Sequence, residues 1–411
     1  MSNRTYDVVV WGATGFTGQL VVQYLADTYG VGDTLNWAIA GRNQSKLEEV
    51  RKKALPDSLR GRVDIIIADS EDDASLAALA SQTKVLCSTV GPYAKYGTSV
   101  VAACVDAGTD YCDLTGEVQW MARIIEAYQS KAEASGARIV HTCGFDSIPF
   151  DMGNWFVQES MHEKHGVYAN EVKTRVAGFS GGASGGTIAS MLNMVDELKS
   201  DPSLRKLMAD PYSLNPTGTP PGNDGADQTG AVFDPDFDQW TAPFIMAAVN
   251  TRVVRRSNAL LGHLWGQGFR YGEAVLSPSR FKAIQVGLAS GAGMVAMALG
   301  PTRKLAERYL PKPGEGPSKE KREAGFFELF MLGIDAEDRS HDTLVKITGD
   351  MDPGYGSTSK MLGESAVCLA LDERTTGGGI WTPASALKGV LLERLIAKAG
   401  LTFDVVDSTK A

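Results

Sequence analysis

Carboxylates and hydroxyls cluster in this chain where a sheet would present them to a ligand. Asp113, Thr115 and Glu117 stand at or just after the end of the strand read at 110–114, and Cys143, Asp146 and Ser147 follow the one read at 137–142. Carboxylates gathered at one cleft perturb each other's proton affinities, which suits proton transfer. Asp146 and Ser147 also stand just before Pro149, where Asp and Ser oxygens accept the first free N–H groups of a helix. Capping and chemistry both fit these two residues, and both stay open at this point. Tyr93 follows Val90-Gly91-Pro92 and offers a ring to cover a flat ligand; Tyr96 offers a second, and a packing aromatic in a plain turn is the alternative. Tyr93, Asp113, Asp146 and Ser147 are therefore the candidate catalytic residues. The five histidines show no His-Glu-x-x-His motif and no paired spacing, so no catalytic metal is expected.

A second set of residues points to a cofactor. Val8-Val9-Val10-Trp11 reads as a short buried strand, glycines follow at 12, 15 and 18, and Leu20, Val21, Tyr24 and Leu25 then fall on one helical face. In a strand–turn–helix of this kind the first glycine permits the tight turn. The second lets backbone approach a pyrophosphate, and the third lets helix and strand pack closely. The helix N-terminus adds free N–H groups and the positive end of a dipole. The spacing is G-x-x-G-x-x-G, so an ordinary glycine-rich turn is the competing reading. Arg42 stands after the next strand, with Lys46 one helical turn on. A carboxylate at this position would take a ribose hydroxyl, whereas a guanidinium binds a 2′-phosphate with paired hydrogen bonds. The expected cofactor is thus NADP(H). Its surface is assigned to Gly12, Ala13, Thr14, Gly15, Phe16, Thr17, Gly18, Arg42, Asn43, Lys46, Asp69, Val90, Gly91 and Pro92. No tyrosine is followed four residues later by lysine, so the catalytic pair of the short-chain dehydrogenases is absent.

These residues need a doubly wound sheet to position them. Strand runs at 8–10, 36–40, 63–68, 85–90, 110–114 and 137–142 alternate with helical patterns. The expected fold class is α/β, a Rossmann-type parallel sheet in the order 3-2-1-4-5-6, with a second mixed α+β domain. Residues 1–150 are read as the cofactor domain, completed by C-terminal helices within 357–411, and 151–356 as a substrate and oligomerisation domain. In the latter, strands are expected at 172–177, 269–276, 326–334 and 343–348, the last two as an antiparallel pair. A glycine-rich stretch at 180–186 precedes a helix and is read as an anion cradle, a loop that closes over substrate, or a structural bend. Residues 211–231 and 311–325 read as long loops.

Composition bounds the class. The 411 residues suffice for two or three domains, with 43% hydrophobic and 22% charged residues, an ordinary globular balance. A net charge of −9 without a long basic run argues against nucleic acid. Five cysteines without a C-x-x-C pair suit a reduced, cytoplasmic setting, and the early first strand predicts no signal peptide. Residues 283–300 carry no charge, and Gly287 and Gly291 have the spacing of close helix contacts. The stretch is expected to pack against the second domain's sheet or against a partner subunit in a homodimer, with a membrane or lipid surface as the competitor.

Several blocks together carry a family likeness. Gly12-Ala13-Thr14-Gly15-Phe16-Thr17-Gly18, Ala40-Gly41-Arg42, Val90-Gly91-Pro92-Tyr93 and Gly144-Phe145-Asp146-Ser147-Ile148-Pro149 occur in that order. So do Asp113-Leu114-Thr115-Gly116-Glu117, Val253-Val254-Arg255-Arg256 and the closing Gly378-Gly379-Ile380-Trp381-Thr382-Pro383. The chain resembles the saccharopine dehydrogenase-like oxidoreductases, a group that includes the trans-acting enoyl reductases. The resemblance implies hydride transfer between NADP(H) and a carbonyl, imine or enoyl group of a small or lipid-like substrate. It does not make saccharopine the substrate. A non-catalytic NADP-binding or lipid-associated scaffold is the alternative.

Overall fold

A computed structural model describes residues 4–32, 34–181, 185–298, 303 and 314–406. Two seven-stranded sheets organise them. The first holds β1 (Tyr6–Trp11), β2 (Trp37–Gly41), β3 (Asp64–Ile67), β4 (Thr83–Ser88), β5 (Asp110–Asp113), β6 (Arg138–Val140) and, further along the chain, β13 (Gly379–Trp381). Its order is β13-β6-β5-β4-β1-β2-β3, and each pairing is parallel. Val8, Val9 and Val10 are fully buried because helices cover both faces, the condition under which a parallel strand can be apolar throughout. The expected 3-2-1-4-5-6 order is present. The seventh strand was not expected: at three residues, Gly379-Ile380-Trp381 is too short to show a period, and only its pairing with Arg138, Ile139 and Val140 makes it a strand.

The second sheet holds β7 (Glu171–Ser180), β8 (Val232–Asp234), β9 (Gln239–Ala242), β10 (Arg270–Ser277), β11 (Phe326–Ile334), β12 (Thr343–Gly349) and β14 (Leu401–Val406). Their order is β14-β12-β11-β7-β10-β9-β8. β11 and β12 are the expected antiparallel pair, in register from Phe327↔Gly349 to Gly333↔Thr343. β10 runs parallel to β7, which makes the sheet mixed.

The two units are less separable than the expected boundaries. The helix Ile148–His165 runs unbroken across position 150. The C-terminal stretch is divided: helix Thr358–Leu371 packs under β1, β4 and β5, whereas Leu401–Val406 pairs with β12 in the second sheet. One apolar core runs from Val8 and Val10 through Phe150 and Met152 to Val345 and Phe403, so both sheets share an interior.

The helix Ala247–Leu260 was not legible in sequence. It is buried nearly all round, yet it carries Arg252, Arg255 and Arg256 inward. Asp227 and Asp224 pair with the first two and tie the 211–231 loop to the helix. A helix buried on every side shows no apolar stripe, and charges with internal partners disguise its burial.

The helix Arg280–Ala298 packs on the edge strand β8, on its neighbour β9 and on helix Gly185–Ser200, in line with the expected contact with the second sheet. Gly287 faces Pro243 there, while among the described residues nothing beyond the helix's own backbone lies within 4 Å of a Cβ built on Gly291. Phe281, Ile284 and Leu288, spaced along one face, point outward, with Leu288 69% exposed. Among the described residues no helix is long and apolar enough to cross a membrane. Leu299 and Gly300 of this stretch, residues 182–184 of the glycine-rich stretch and 311–313 of the later loop lie outside the described residues.

Candidate active site

The cofactor cradle forms where β1 hands over to helix Phe16–Tyr29. Gly12 turns at φ +84°, and a Cβ there would come within 2.5 Å of Val90 Cγ2. A Cβ on Gly18 would come within 2.3 Å of the Gly12 carbonyl oxygen, so helix and turn touch backbone to backbone. Gly15 occupies the N-cap position with no side-chain cap, and the first turn carries no acid. The opening N–H groups and the dipole are thus left for an anion. Ala13 is buried beneath the turn, and Thr14 accepts from Gln19 through its carbonyl oxygen. Phe16 meets the Tyr355 ring edge-on at 5.2 Å and lies under the Arg322 guanidinium. Thr17 is half-buried in the first turn.

Arg42 and Lys46 emerge after β2, both exposed and with no acid paired to them among the described residues. Asn43 Oδ1 accepts from Lys46 N and caps helix Gln44–Ala54, so its side chain is already engaged. Asp69 ends the β3 region and accepts from Glu71 N. The glycine contacts, the uncapped helix start and the two unpaired cations fit an NADP-type dinucleotide, which these residues would hold.

The three carboxylates expected at the cleft are sorted by their partners. Asp113 is fully buried and saturated: it accepts from Tyr111 Oη at 3.0 Å, Thr115 N at 3.1 Å and Thr142 N at 3.2 Å, and its Oδ2 lies 2.8 Å from His141 Nδ1. It knits the ends of β5 and β6 together. Glu117 accepts from Tyr93 N at 2.8 Å, Ala94 N at 2.9 Å and Ser190 Oγ at 2.9 Å. Burial raises its pKa, while these hydrogen bonds oppose the rise. Through Ser190 it draws helix Gly185–Ser200 over the turn at Gly91, where Ser190 Oγ lies 3.4 Å from the position of a Cβ.

Tyr93 was expected to offer its ring to a flat ligand. Its ring turns inward, 4% exposed, to stack on Trp120, and its hydroxyl donates to the Ser88 carbonyl at 3.1 Å. Burial holds its pKa well above the ordinary value. Tyr93 and Asp113, both expected at the reacting centre, are buried and already hydrogen-bonded within the protein. Tyr96 is the exposed tyrosine of that turn.

Asp146 remains. It makes no hydrogen bond or ion pair with any described residue, and its carboxylate lies over Gly116, 3.2 Å from where a Cβ would stand. The residue is half-buried, and burial alone pushes its pKa up to about 7. It does not cap the following helix. Ser147 stands at that N-cap position, but it too makes no side-chain cap. Its φ is +108°, a conformation that residues with a Cβ avoid. Its hydroxyl donates to Asn250 Oδ1 at 3.0 Å.

Sequence reasoning missed Asn250, Glu273, Ser190 and the Thr187–Tyr355 pair, whose hydroxyls meet at 2.8 Å. No local signal marks them, because each reaches the site through a crossing of the second unit over the first. Among the described residues no cluster of His, Cys, Asp and Glu is arranged to hold a metal.

The fold and cradle define an NADP-dependent oxidoreductase, and comparison with known proteins gives the family. The saccharopine dehydrogenase NADP binding domain matches residues 8–140. A Mycobacterium tuberculosis protein provisionally named a trans-acting enoyl reductase is 40% identical over 409 residues, covering 96% of each chain. Proteins named trans-acting enoyl reductase from Mycobacterium ulcerans and Mycobacterium bovis are 36% and 34% identical, again over 96% of each chain. Yeast saccharopine dehydrogenase (L-Glu forming) shares the fold at a TM-score of 0.51 and 13% identity, covering 97% of this chain and 99% of that one. The chain belongs to the saccharopine dehydrogenase-like oxidoreductases, alongside the trans-acting enoyl reductases.

Proposed function

We propose that this protein reduces the carbon–carbon double bond of an enoyl thioester with NADPH, and that Asp146 donates the proton. The name borne by relatives at 34–40% identity over 96% of their length supports the substrate class. The observation that carries the donor assignment is the sorting of the carboxylates: Asp113 and Glu117 accept several hydrogen bonds each, and of the three only Asp146 has no partner among the described residues.

Bound NADPH supplies the hydride. Gly12 to Gly18 would hold its pyrophosphate, and Arg42 with Lys46 would hold the 2′-phosphate. Ser190, bonded to Glu117, and Tyr355, whose hydroxyl meets that of Thr187, stand beside the cradle. The double bond is reduced by one hydride at the carbon distal to the carbonyl and one proton at the adjacent carbon. Asp146 delivers that proton and regains one from solvent. With burial pushing its pKa up to about 7, the Asp146 carboxyl is protonated often enough for this work at neutral pH.

Asp146→Asn should lower kcat for a trans-enoyl thioester of N-acetylcysteamine by about 10²–10⁴-fold, the usual worth of a general acid, with NADPH affinity kept. The wild-type rate should fall as pH rises through about 7, where Asp146 loses its proton. Keto and imine compounds tested alongside should be poor substrates. Turnover undiminished in the Asn variant would remove Asp146 from the mechanism.

A further inference from the structure

Ser147 holds a backbone conformation that costs energy, and a chain of buried groups from the other sheet reaches its hydroxyl. Ser147 Oγ donates to Asn250 Oδ1 at 3.0 Å, and Asn250 Nδ2 donates to Glu273 Oε2 at 3.0 Å. Tyr271 Oη donates to Glu273 Oε1 at 3.0 Å, and Thr174 Oγ1 donates to Tyr271 Oη at 3.0 Å. All five side chains are buried. Thr174 lies on β7, and Tyr271 and Glu273 on β10, so the chain is anchored in two adjacent strands of the second sheet. Asn250 relays it from helix Ala247–Leu260. At its free end, Ser147 sits at φ +108° beside Asp146, which has no partner of its own among the described residues to aim it.

A strained turn persists only where its surroundings over-determine it. We propose that Glu273 and Asn250 are positioning residues: through the Ser147 hydroxyl they hold the 144–149 turn in its strained form and so aim the Asp146 carboxyl over Gly116. The inference rests on Asp146 as proton donor, but the tether itself is independent of that role. The hydroxyl of Ser147 is therefore a tether rather than a nucleophile. The second sheet would act on the chemistry from a distance, without touching substrate.

The test compares full-length variants. Ser147→Ala keeps the strain and loses the tether, whereas Ser147→Gly loses both, because glycine adopts this φ freely. Ala should speed hydrogen exchange of peptides covering 144–150 and lower kcat at least about tenfold with little change in KM, since only the donor's aim is lost. Gly should retain clearly more kcat than Ala. Asn250→Ala should behave like Ser147→Ala, and adding Ser147→Gly should recover part of its loss, which removing a mere packing group would not allow. Glu273→Gln preserves the acceptor for Asn250 and should keep most of the rate. It is also the variant least prone to fold poorly. Exchange in 144–150 unchanged in both Ser147→Ala and Asn250→Ala would overturn the tether. Equal rates for the Ala and Gly variants at position 147 would do the same. Faster exchange with kcat unchanged would leave the tether standing and overturn Asp146 as donor.

Discussion

Residue chemistry at this site is decided by who is already bonded. Three carboxylates reach the same end of the sheet, yet only Asp146 keeps its oxygens free of described partners. The same logic applies to the cations at the end of β2. Arg42 and Lys46 are exposed without a paired acid among the described residues, whereas Arg252 and Arg255 are buried on aspartates. An exposed arginine contributes little to folding, so its removal should be read in binding. Arg42→Ala should weaken NADPH by about 1.5–3 kcal/mol, the size of a charge-assisted hydrogen bond, and leave NADH nearly unchanged. Titration calorimetry with both cofactors checks this. An equal loss for both would mean that Arg42 does not reach the 2′-phosphate.

Elements matter through their close approaches. The first helix can present its N-terminus to a pyrophosphate only because it lies against the turn before it, and Gly18 is the contact. A Cβ there would come within 2.3 Å of the Gly12 carbonyl oxygen and 2.9 Å of Ala13 Cα, both backbone atoms that cannot swing aside. Gly18→Ala should push the helix start away from the turn. The expected results are an overpacking loss of about 1–3 kcal/mol in urea unfolding and NADPH affinity reduced at least about tenfold. A variant with wild-type affinity would show that the helix start is not the pyrophosphate site. Gly30 is a contrast: among the described residues nothing beyond its chain neighbours lies within 4 Å of such a Cβ, and its role is its positive φ at the end of the same helix.

At the scale of the whole molecule the two sheets share one core, and the site lies where they meet. Glu273 marks that junction. Burial raises its pKa from 4.5 to about 8, with hydrogen bonds from Asn250 and Tyr271 opposing the rise. Between those two values the folded state keeps a proton that the unfolded chain has released. Its contribution to stability is therefore full below the lower value and is lost as pH rises towards the upper one, by up to about 1.4 kcal/mol per pH unit. Gln cannot ionise, so Glu273→Gln should gain stability relative to wild type between about pH 5 and about pH 8 in urea unfolding. A difference that stays constant over that range would mean that Glu273 is not held protonated by burial.

The cofactor half was legible because its signals are local. A glycine's freedom, a helix start and a β-branched run are properties of neighbouring residues, so the cradle from Gly12 to Gly18 and six strands in the order 3-2-1-4-5-6 could be read directly. Arg42 could be placed for the same reason, since it directly follows a strand end. The reacting centre was legible only as a set of candidates. Asp113, Glu117 and Asp146 look alike in sequence, because what separates them is the number of donors that the folded chain brings to each. Tyr93 looked like a cofactor cover until the fold turned its ring onto Trp120. Asn250 and Glu273 stand 103 and 126 positions beyond Ser147, and no pattern along the chain links them to it. Hydrogen bonds across two sheets depend on how whole elements cross. That crossing is set by the burial of the shared core, which no short stretch of sequence contains.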